Sequence, residues 1–263
     1  MRLRLLVDGP RSPRANMAVD EAILLKGPDT LRVYTWSPPG LSLGRRTPVA
    51  SVNLHAAARL GVEVVRRPTG GAALYHGEMA EVTYSIVASD PSLLSLSVEE
   101  SAARIAEGVA EAARLLGAGD AMVGGFQGPG GESLCYLNPG ASDVVAGGRK
   151  VSGSAQLRVG GRLLQHGTLL LTFDPSVWWE LIPTRTPPGM LGRYVGGLSD
   201  IVGSRIGVEE AVEALIEGFR RALGAEFYEA PLTAAEAAEA ARLARGKYGS
   251  ERWTIHGGGA LVQ

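Results

Sequence analysis

Two arginines beside a pair of glycines form the segment of this sequence whose chemistry is easiest to state. The segment "RRPTGGAALYHGE" covers residues 66–78. Glycines such as Gly70 and Gly71 allow the backbone to approach a ligand and to expose its N–H groups. A nearby arginine, Arg66 or Arg67, adds a fork of donors that suits a carboxylate or a phosphate. A surface hairpin flanked by solvated arginines fits the segment equally well.

A lysine among small residues is the second candidate. Lys150 lies in "GGRKVSGSAQ", residues 147–156, close to Gly153 and Ser154. Small residues leave room for a bound group, and a lysine beside them can neutralise a developing oxyanion or a phosphate. Most lysines at such a turn are ordinary hairpin residues, so this motif alone does not distinguish a site.

The single cysteine and two of the histidines complete the set of reactive side chains. Cys135 lies in a glycine-rich stretch, "GESLCYLNPG", where a neighbouring cation could activate its thiolate. A lone cysteine is more often an inert buried thiol. His76 and His166 lie in apolar surroundings, where a histidine is more often a core residue than a catalyst. The four histidines and one cysteine show no zinc spacing, so we predict no structural metal site.

Composition restricts the classes of function. The chain has 263 residues and a formal net charge of −1, which argues against a generic nucleic-acid binder. A single cysteine fits a reducing compartment. The apolar run before Asp8 is too short for a signal peptide. The sequence contains no run of about 18 apolar residues, so we expect no membrane span. We therefore expect a soluble cytoplasmic protein with neither nucleic-acid nor membrane partners.

Apolar periodicity and capping signals predict the elements that carry these residues. Asn16 is the expected N-cap of the first helix, and the pairs Ser97/Glu100 and Thr233/Glu236 are capping-box patterns. Helices are predicted at 16–26, 53–61, 101–117, 207–224 and 234–249. Strands are predicted at 31–36, 41–44, 62–67 and 81–89, with three more between 142 and 173. Residues 118–140 are predicted to be a long loop, and 174–205 to be irregular.

These elements predict an α+β protein with a largely antiparallel sheet and flanking helices. The predicted division of the chain is a main domain over residues 1–204 and a small helical C-terminal region over 205–263.

The order of the motifs resembles the lipoate–protein ligase family, whose catalytic domain is shared with biotin–protein ligases and octanoyltransferases. The segments that carry the resemblance are, in order, "NMAVDEAILL", "VVRRPTGGAALYHGE", "EVTYSIV", "GGRKVSGSAQ" and "LQHGTLLL". It runs from about residue 3 to 175 and continues more weakly in "GKYGSERWT", residues 246–254. The resemblance implies a class II synthetase or biotin–lipoate ligase-like fold, in which residues 1–204 are an acyl-transfer catalytic domain.

The first functional hypothesis from this resemblance is a lipoate–protein ligase. Such an enzyme attaches a lipoyl or octanoyl group to one lysine of a lipoyl domain through an acyl-adenylate, with ATP and Mg²⁺ as substrates. The implied partners are lipoyl domains of the 2-oxoacid dehydrogenase E2 component or the glycine-cleavage H protein. Some ligases of the group also need an accessory adenylation subunit.

The resemblance also implies roles for individual residues. Lys150 would bind the acyl carbonyl, and Asp143 would be a partner of either the Mg²⁺–nucleotide or the lysine. Leu74, Val82 and Leu164 would line the tunnel for the acyl chain. The remaining residues would bind the acyl-adenylate: Arg66, Arg67, Gly70, Gly71, Ala72, His76, Gly153, Ser154 and His166.

The second hypothesis is an octanoyl-[acyl carrier protein]:protein octanoyltransferase. Cys135 precedes Lys150 by fifteen positions, as in the cysteine-dependent octanoyltransferases that this sequence resembles. Those enzymes take octanoyl from acyl carrier protein, form a thioester and need no ATP or other cofactor. Ala72, Gly77 and Ser142 replace a glycine, an aspartate and an asparagine of the ligase pattern. A third hypothesis, a non-catalytic binder of acyl chains or lipoyl domains, does not explain a lysine kept together with two arginines.

Overall fold

The computed structural model describes residues 1–257. Its strands are β1 Arg2–Val7, β2 Thr30–Tyr34, β3 Gly40–Leu43, β4 Glu63–Arg66, β5 Leu74–His76, β6 Glu81–Ala88, β7 Met122–Val123, β8 Val144–Ala146, β9 Arg149–Val159, β10 Arg162–Leu170 and β11 Glu226–Glu229. Its helices are α1 Pro13–Lys26, α2 Leu54–Arg59, α3 Pro91–Leu94, α4 Val98–Leu115, α5 Pro175–Leu181, α6 Pro188–Leu191, α7 Leu198–Val202, α8 Val208–Leu223, α9 Ala234–Leu243 and α10 Glu251–His256.

A large sheet forms the centre of the fold, in the order β11-β1-β2-β6-β10-β9-β8-β7. β1 pairs in parallel with β2 and with β11, whereas the other neighbours are antiparallel. The turns at 147–148 and 160–161 are glycine pairs with positive φ at both residues, the backbone that tight hairpins need. The α+β prediction with a largely antiparallel sheet is confirmed.

Successive strand residues contribute to different cores on the two faces of this sheet. Val33 packs in the core that α4 and α8 cover, and its neighbour Tyr34 packs in the core beneath α1 and α9. The two covering helices α4 and α8 approach closely, because a Cβ atom on Gly218 would lie only 2.2 Å from the carbonyl oxygen of Gly108. The capping box of Ser97 and Glu100 begins α4 as predicted.

A smaller sheet, in the order β4-β3-β5, carries the arginine–glycine segment. β3 pairs in parallel with β4 and antiparallel with β5. The loop over residues 67–73 therefore leaves one edge of β3 and returns along the other.

Two local predictions are wrong. α1 begins at Pro13 after Ser12, because proline at the first helical position needs no N–H partner. Asn16 lies inside the helix, fully buried, and its Nδ2 donates to the carbonyl oxygens of Arg11 and Thr35 at 3.2 and 3.0 Å. Residues 174–205, predicted as irregular, contain α5, α6 and α7.

Residues after 204 share the sheet and the core with residues before it. β11 extends the large sheet, and α8 buries Leu215 and Phe219 in the core that contains α4. A buried ion pair joins Arg4 of β1 to Glu236 of α9, with Nη1 to Oε2 at 2.8 Å. The division into residues 1–204 and 205–263 stays a prediction, and 258–263 lie outside the described part of the chain. Within residues 1–257, no helix has the length and apolar character needed to cross a membrane.

Candidate active site

An apolar cavity lies where the small sheet meets β6, β9 and β10 of the large one. Its wall includes Met17, Trp36 and Leu74, and an open cleft lined by Arg45 and Arg46 adjoins the glycine loop. The predicted site residues in the cavity wall are Arg67, His76, Cys135, Gly153, Ser154 and His166. Those in the cleft are Gly70, Gly71 and Ala72. Val82 and Leu164, expected in an acyl tunnel, pack in the two cores instead.

Arg67 holds the glycine loop against β3. It is buried, and its Nη2 donates to the carbonyl oxygens of Gly70 and Ala72 at 2.6 and 2.8 Å. Its Nη1 donates to Ser42, to the carbonyl oxygen at 3.2 Å and to Oγ at 3.1 Å. Burial lowers the pKa of Arg67 from its ordinary value, and the nearby Cys135 opposes that shift.

Arg66 points away from the predicted site, because neighbouring residues of an extended chain face opposite sides. Its guanidinium donates to carbonyl oxygens of residues 44–47 and of residues 253–255 in α10. It is absent from the walls of both the cavity and the cleft. The structure therefore does not bring Arg66 together with the other predicted phosphate-binding residues.

The glycine loop crosses β3 at its end with almost no space between the backbones. A Cβ atom on Gly44 would lie 1.7 Å from the carbonyl oxygen of Gly71, which also accepts a hydrogen bond from Thr47 Oγ1 at 2.8 Å. Gly71 has a φ of +86°, where a side chain would be strained, but Gly70 has no such restriction. Because the glycine loop crosses β3 so closely, this contact determines where the loop can present its N–H groups.

The ammonium group of Lys150 is held from three sides. Its Nζ lies 2.7 Å from Asp143 Oδ1 and donates to the carbonyl oxygens of Asn138 at 2.9 Å and Cys135 at 3.4 Å. Lysine and aspartate are both buried. Burial raises the pKa of Asp143, against the opposing effect of the Lys150 charge. Lys150 and Asp143 do not line the cavity themselves; Gly153, which does, lies next to the lysine, since a Cβ atom built on it would lie 3.7 Å from Nζ.

The carbonyl oxygen of Cys135 accepts from Lys150, and its side chain lines the cavity together with Arg67. Its backbone N–H donates to the carbonyl oxygen of Ala73 at 2.9 Å, which fixes the loop 133–138 beside β5. Its Sγ would lie 3.7 Å from a Cβ atom on Gly71, and the same Cβ would lie 2.7 Å from Nη2 of Arg67. A thiol in an apolar cavity beside bare backbone and a guanidinium is suited to forming a thioester.

His166 connects the glycine loop to a buried charge network. Its Nδ1 lies 3.1 Å from Asp20 Oδ2, and its Nε2 lies 2.7 Å from Thr69 Oγ1. Burial lowers the pKa of His166, so the neutral ring donates to Asp20 and accepts from Thr69. Arg32 and Tyr34 also donate to the Asp20 carboxylate.

Sequence reasoning missed several functional neighbours of these residues. Asp20 and Arg32 interrupt apolar helix and strand patterns, and buried charges of this kind must be paired, so a signal was present. Ser42 and Glu81, which contact His76, gave no comparable signal.

Ser142 and Ser154 share a hydrogen bond of 2.8 Å beside the cavity. Among residues 1–257, no group of three or more His, Cys, Asp and Glu side chains could hold a metal ion.

Comparisons with known proteins agree with this geometry. Octanoyltransferase LipM of Symbiobacterium thermophilum is 36% identical over 272 residues, covering 96% of this chain and 97% of that protein. A T. acidophilum protein with bound lipoic acid, assigned as a lipoate protein ligase, superposes with a TM-score of 0.81 at 26% identity, covering 97% of this chain and 100% of the other. A lipoate-protein ligase A bound with ATP gives a TM-score of 0.80 at 26% identity, covering 97% and 99%.

The model of the lipoyl protein ligase A/B catalytic domain matches residues 12–220, which include every residue of the cavity wall and the cleft. The resemblance found in the sequence motifs and the biotin–lipoate ligase-like fold are both confirmed. The chain belongs to the lipoyl protein ligase A/B catalytic domain family of acyl-transferring enzymes.

Proposed function

We propose that this protein is an octanoyltransferase that carries the acyl group on Cys135. The observation that supports this most directly is the position of the Cys135 thiol, in the wall of an apolar cavity beside Arg67. The LipM relative, similar over nearly the whole of both chains, bears the name of the same activity.

The reaction has two balanced steps. In the first, the Cys135 thiol gives up its proton, its sulfur attacks the donor carbonyl, a new C–S bond forms, the donor C–S bond breaks, and the donor thiol leaves with that proton. In the second, a target lysine amine attacks the thioester, the C–N bond forms, and the C–S bond breaks. The amine proton passes to the departing sulfur, which restores the thiol of Cys135.

Lys150 stabilises the negative charge that develops on the carbonyl oxygen in both steps. Asp143 and the carbonyl oxygen of Asn138 hold its ammonium group in place. Asp143 acts in this proposal through the lysine and not through a metal ion.

The cavity takes the acyl chain, with Leu74 and Trp36 in its wall and Gly153 and Ser154 leaving room near the reacting carbonyl. Arg67 orders the loop of Gly70, Gly71 and Ala72 around the donor, and His76 and His166 support the cavity wall. Arg66 has a structural role at α10.

A lipoate–protein ligase that uses ATP and Mg²⁺ is the second candidate. The open cleft favours it, because Arg45 and Arg46 lie there beside the bare backbone of residues 70–72, a combination suited to phosphates. The superposable ligase with bound ATP supports the same reading. In that case ATP and Mg²⁺ are substrates, with adenylation in this chain or in an accessory subunit. In the octanoyltransferase no cofactor is required.

The acceptors in either case are lipoyl domains of the 2-oxoacid dehydrogenase E2 component or the glycine-cleavage H protein. The octanoyl donor is acyl carrier protein, and the site of action is the cytoplasm. These assignments belong to the proposal.

The deciding experiment offers a lipoyl domain two alternative donors and reads its mass. With octanoyl-acyl carrier protein and no ATP, we expect one octanoyl group on the domain and a thioester on Cys135 that is absent in Cys135→Ala. Modification only with lipoate, ATP and Mg²⁺ would instead establish the ligase. If the lipoyl domain is modified under neither condition, the non-catalytic binder is the remaining hypothesis.

A further inference from the structure

Three side chains in and beside the cavity wall form a hydrogen-bonded series that the transfer reaction does not use. Ser42 Oγ lies 2.8 Å from His76 Nε2, and His76 Nδ1 lies 2.7 Å from Glu81 Oε1. The three residues are on β3, β5 and β6, and all are buried. Ser42 and His76 line the same cavity as Cys135.

The surrounding donors fix the direction of this series. Thr83 Oγ1 donates to Glu81 Oε1 at 2.8 Å and itself accepts from Trp36 Nε1 at 2.8 Å. Glu81 Oε1 is therefore an acceptor, so the neutral His76 ring places its proton on Nδ1 and leaves Nε2 to accept from Ser42. The Ser42 hydroxyl donates to that nitrogen. The indole of Trp36 stacks on the His76 ring at 4.0 Å and an interplanar angle of 18°, which holds the ring in this orientation.

Two further features distinguish the series from a network that only supports the fold. Within residues 1–257, Glu81 Oε2 is buried without a hydrogen-bond partner, which costs stability that a purely structural network would avoid. Nη1 of Arg67 lies 3.1 Å from Ser42 Oγ, on the hydroxyl that would become negative when it loses its proton. A carboxylate, an imidazole and a hydroxyl in this order, beside a cation, are the parts of an activated serine nucleophile.

We propose that Ser42, His76 and Glu81 form a second nucleophilic centre, which hydrolyses acyl esters and thioesters with an apolar chain. The preference for an apolar acyl chain follows from the apolar wall of the cavity that Ser42 lines. Ser42 Oγ attacks the acyl carbonyl while its proton passes to His76 Nε2, and the leaving alcohol or thiol departs with that proton. Water then attacks the seryl ester, gives a proton to His76, and releases the free acid as Ser42 regains its hydrogen. The proposal does not depend on Cys135 or on transfer to a lipoyl domain.

An alkyl fluorophosphonate with an eight-carbon chain tests the nucleophile directly. In this reaction the Ser42 Oγ–P bond forms, the P–F bond breaks, and the serine proton leaves with fluoride. We expect one adduct, mapped to Ser42 by peptide mass spectrometry, in the wild type and in Cys135→Ala. The adduct should be absent in Ser42→Ala, and its rate of formation should fall about 10²–10⁴-fold in Glu81→Gln.

Release of p-nitrophenol from p-nitrophenyl octanoate provides the second measurement. The variants are compared in the Cys135→Ala background, where the transfer thiol cannot react with the ester. Cys135→Ala should release p-nitrophenol over many turnovers, and Cys135→Ala/Ser42→Ala should lose this release. Ser101→Ala is the matched control, because it removes a buried serine hydroxyl on α4 outside the cavity. Its rate in this background should equal that of Cys135→Ala alone.

Three results would overturn the proposal. They are the absence of a Ser42 adduct in the folded wild type, labelling at Cys135 alone, and labelling of Ser42 at an unchanged rate in Glu81→Gln. The first two use no variant in the triad, so a folding defect cannot obscure them. A missing thioester on Cys135 with a Ser42 adduct present would defeat the transfer mechanism and leave this proposal intact.

Discussion

Lys150 and Asp143 form an ion pair with almost no exposure to water. Water solvates neither charge well, since Lys150 is 1% exposed and Asp143 is 3% exposed. Each charge is therefore stabilised mainly by the other. Removing one partner leaves the other as an uncompensated buried charge. Substitutions at this pair should therefore change both the chemistry and the stability of the protein.

We expect Lys150→Met to reduce acyl transfer at least about 10²-fold, because the oxyanion loses its cation. The same change should lower the free energy of unfolding by about 3–5 kcal/mol, because Asp143 keeps the hydrogen bond from the Gly140 N–H but stays buried without an opposite charge. The double variant Lys150→Met/Asp143→Asn should recover most of the stability and none of the activity. Urea denaturation and mass analysis of the lipoyl domain measure the two effects. Full transfer activity in Lys150→Met would remove Lys150 from the mechanism.

His166 gives a pH-dependent contribution to stability. Its pKa is lowered by burial from 6.5, so below pH 6.5 the unfolded chain binds a proton that the folded chain does not. The free energy of unfolding should therefore decrease as the pH falls below 6.5, by at most about 1.4 kcal/mol per pH unit. His166→Gln should flatten this slope below pH 6.5.

Asp20 does not interfere in that window. Its own burial raises its pKa, but the hydrogen bond from His166 and the charge of Arg32 outweigh burial and leave the pKa below 3.8. Its contribution is present above pH 3.8 and is lost below it. Equal slopes for the wild type and His166→Gln as the pH falls below 6.5 would contradict the prediction.

At the scale of elements, two glycines of the loop crossing provide a matched pair of substitutions. Gly44→Ala forces a methyl group against the backbone of Gly71, at 1.7 Å from its carbonyl oxygen, and no side-chain movement can relieve the contact. Gly70→Ala places its methyl group in open space at a φ that alanine can adopt. We expect the first to cost about 3 kcal/mol or more of stability and the second to stay within about 0.5 kcal/mol. Thermal melts compare them, and equal losses would show that the loop is not held against β3.

The elements that the sequence predicted correctly are those with local signals. α4 has its capping box and apolar period within one segment, and α8 ends at Gly224 in the left-handed conformation. β1 and β11 escaped prediction because each is a short strand without local signals: β11 pairs with β1 across more than 200 residues, and β1 lies between β11 and β2. α1 begins at Pro13, three residues before Asn16, the residue that the sequence pattern indicated as the N-cap.

The candidate site was predictable to the extent that motif order shows which segments meet. Lys150, Cys135 and Arg67 could be named in that way. The direction of Arg66, and the series from Ser42 through His76 to Glu81, depend on how three strands are registered in two sheets. No single stretch of sequence contains that information.

At the scale of the whole molecule, the sheet and the core extend across residue 204. We expect the chain to unfold in one cooperative transition, and a fragment of residues 1–204 not to fold, because it would lose β11 and the helix that buries Phe219. Denaturation followed by near-ultraviolet circular dichroism and by tryptophan fluorescence tests this. A fragment with native-like near-ultraviolet signal would establish 1–204 as an independent domain.

Substitutions at the two adjacent arginines should affect different properties of the protein. Arg66 joins α10 to the loop after β3, and Arg67 joins the glycine loop to the cavity, although one peptide bond separates them. In a saturation-mutagenesis library, variants at position 66 should be depleted mainly in a screen for cellular abundance. Variants at position 67 should be depleted further in a growth selection that requires acylated lipoyl domains. Two neighbouring positions with the same amino acid would thus give different fitness profiles.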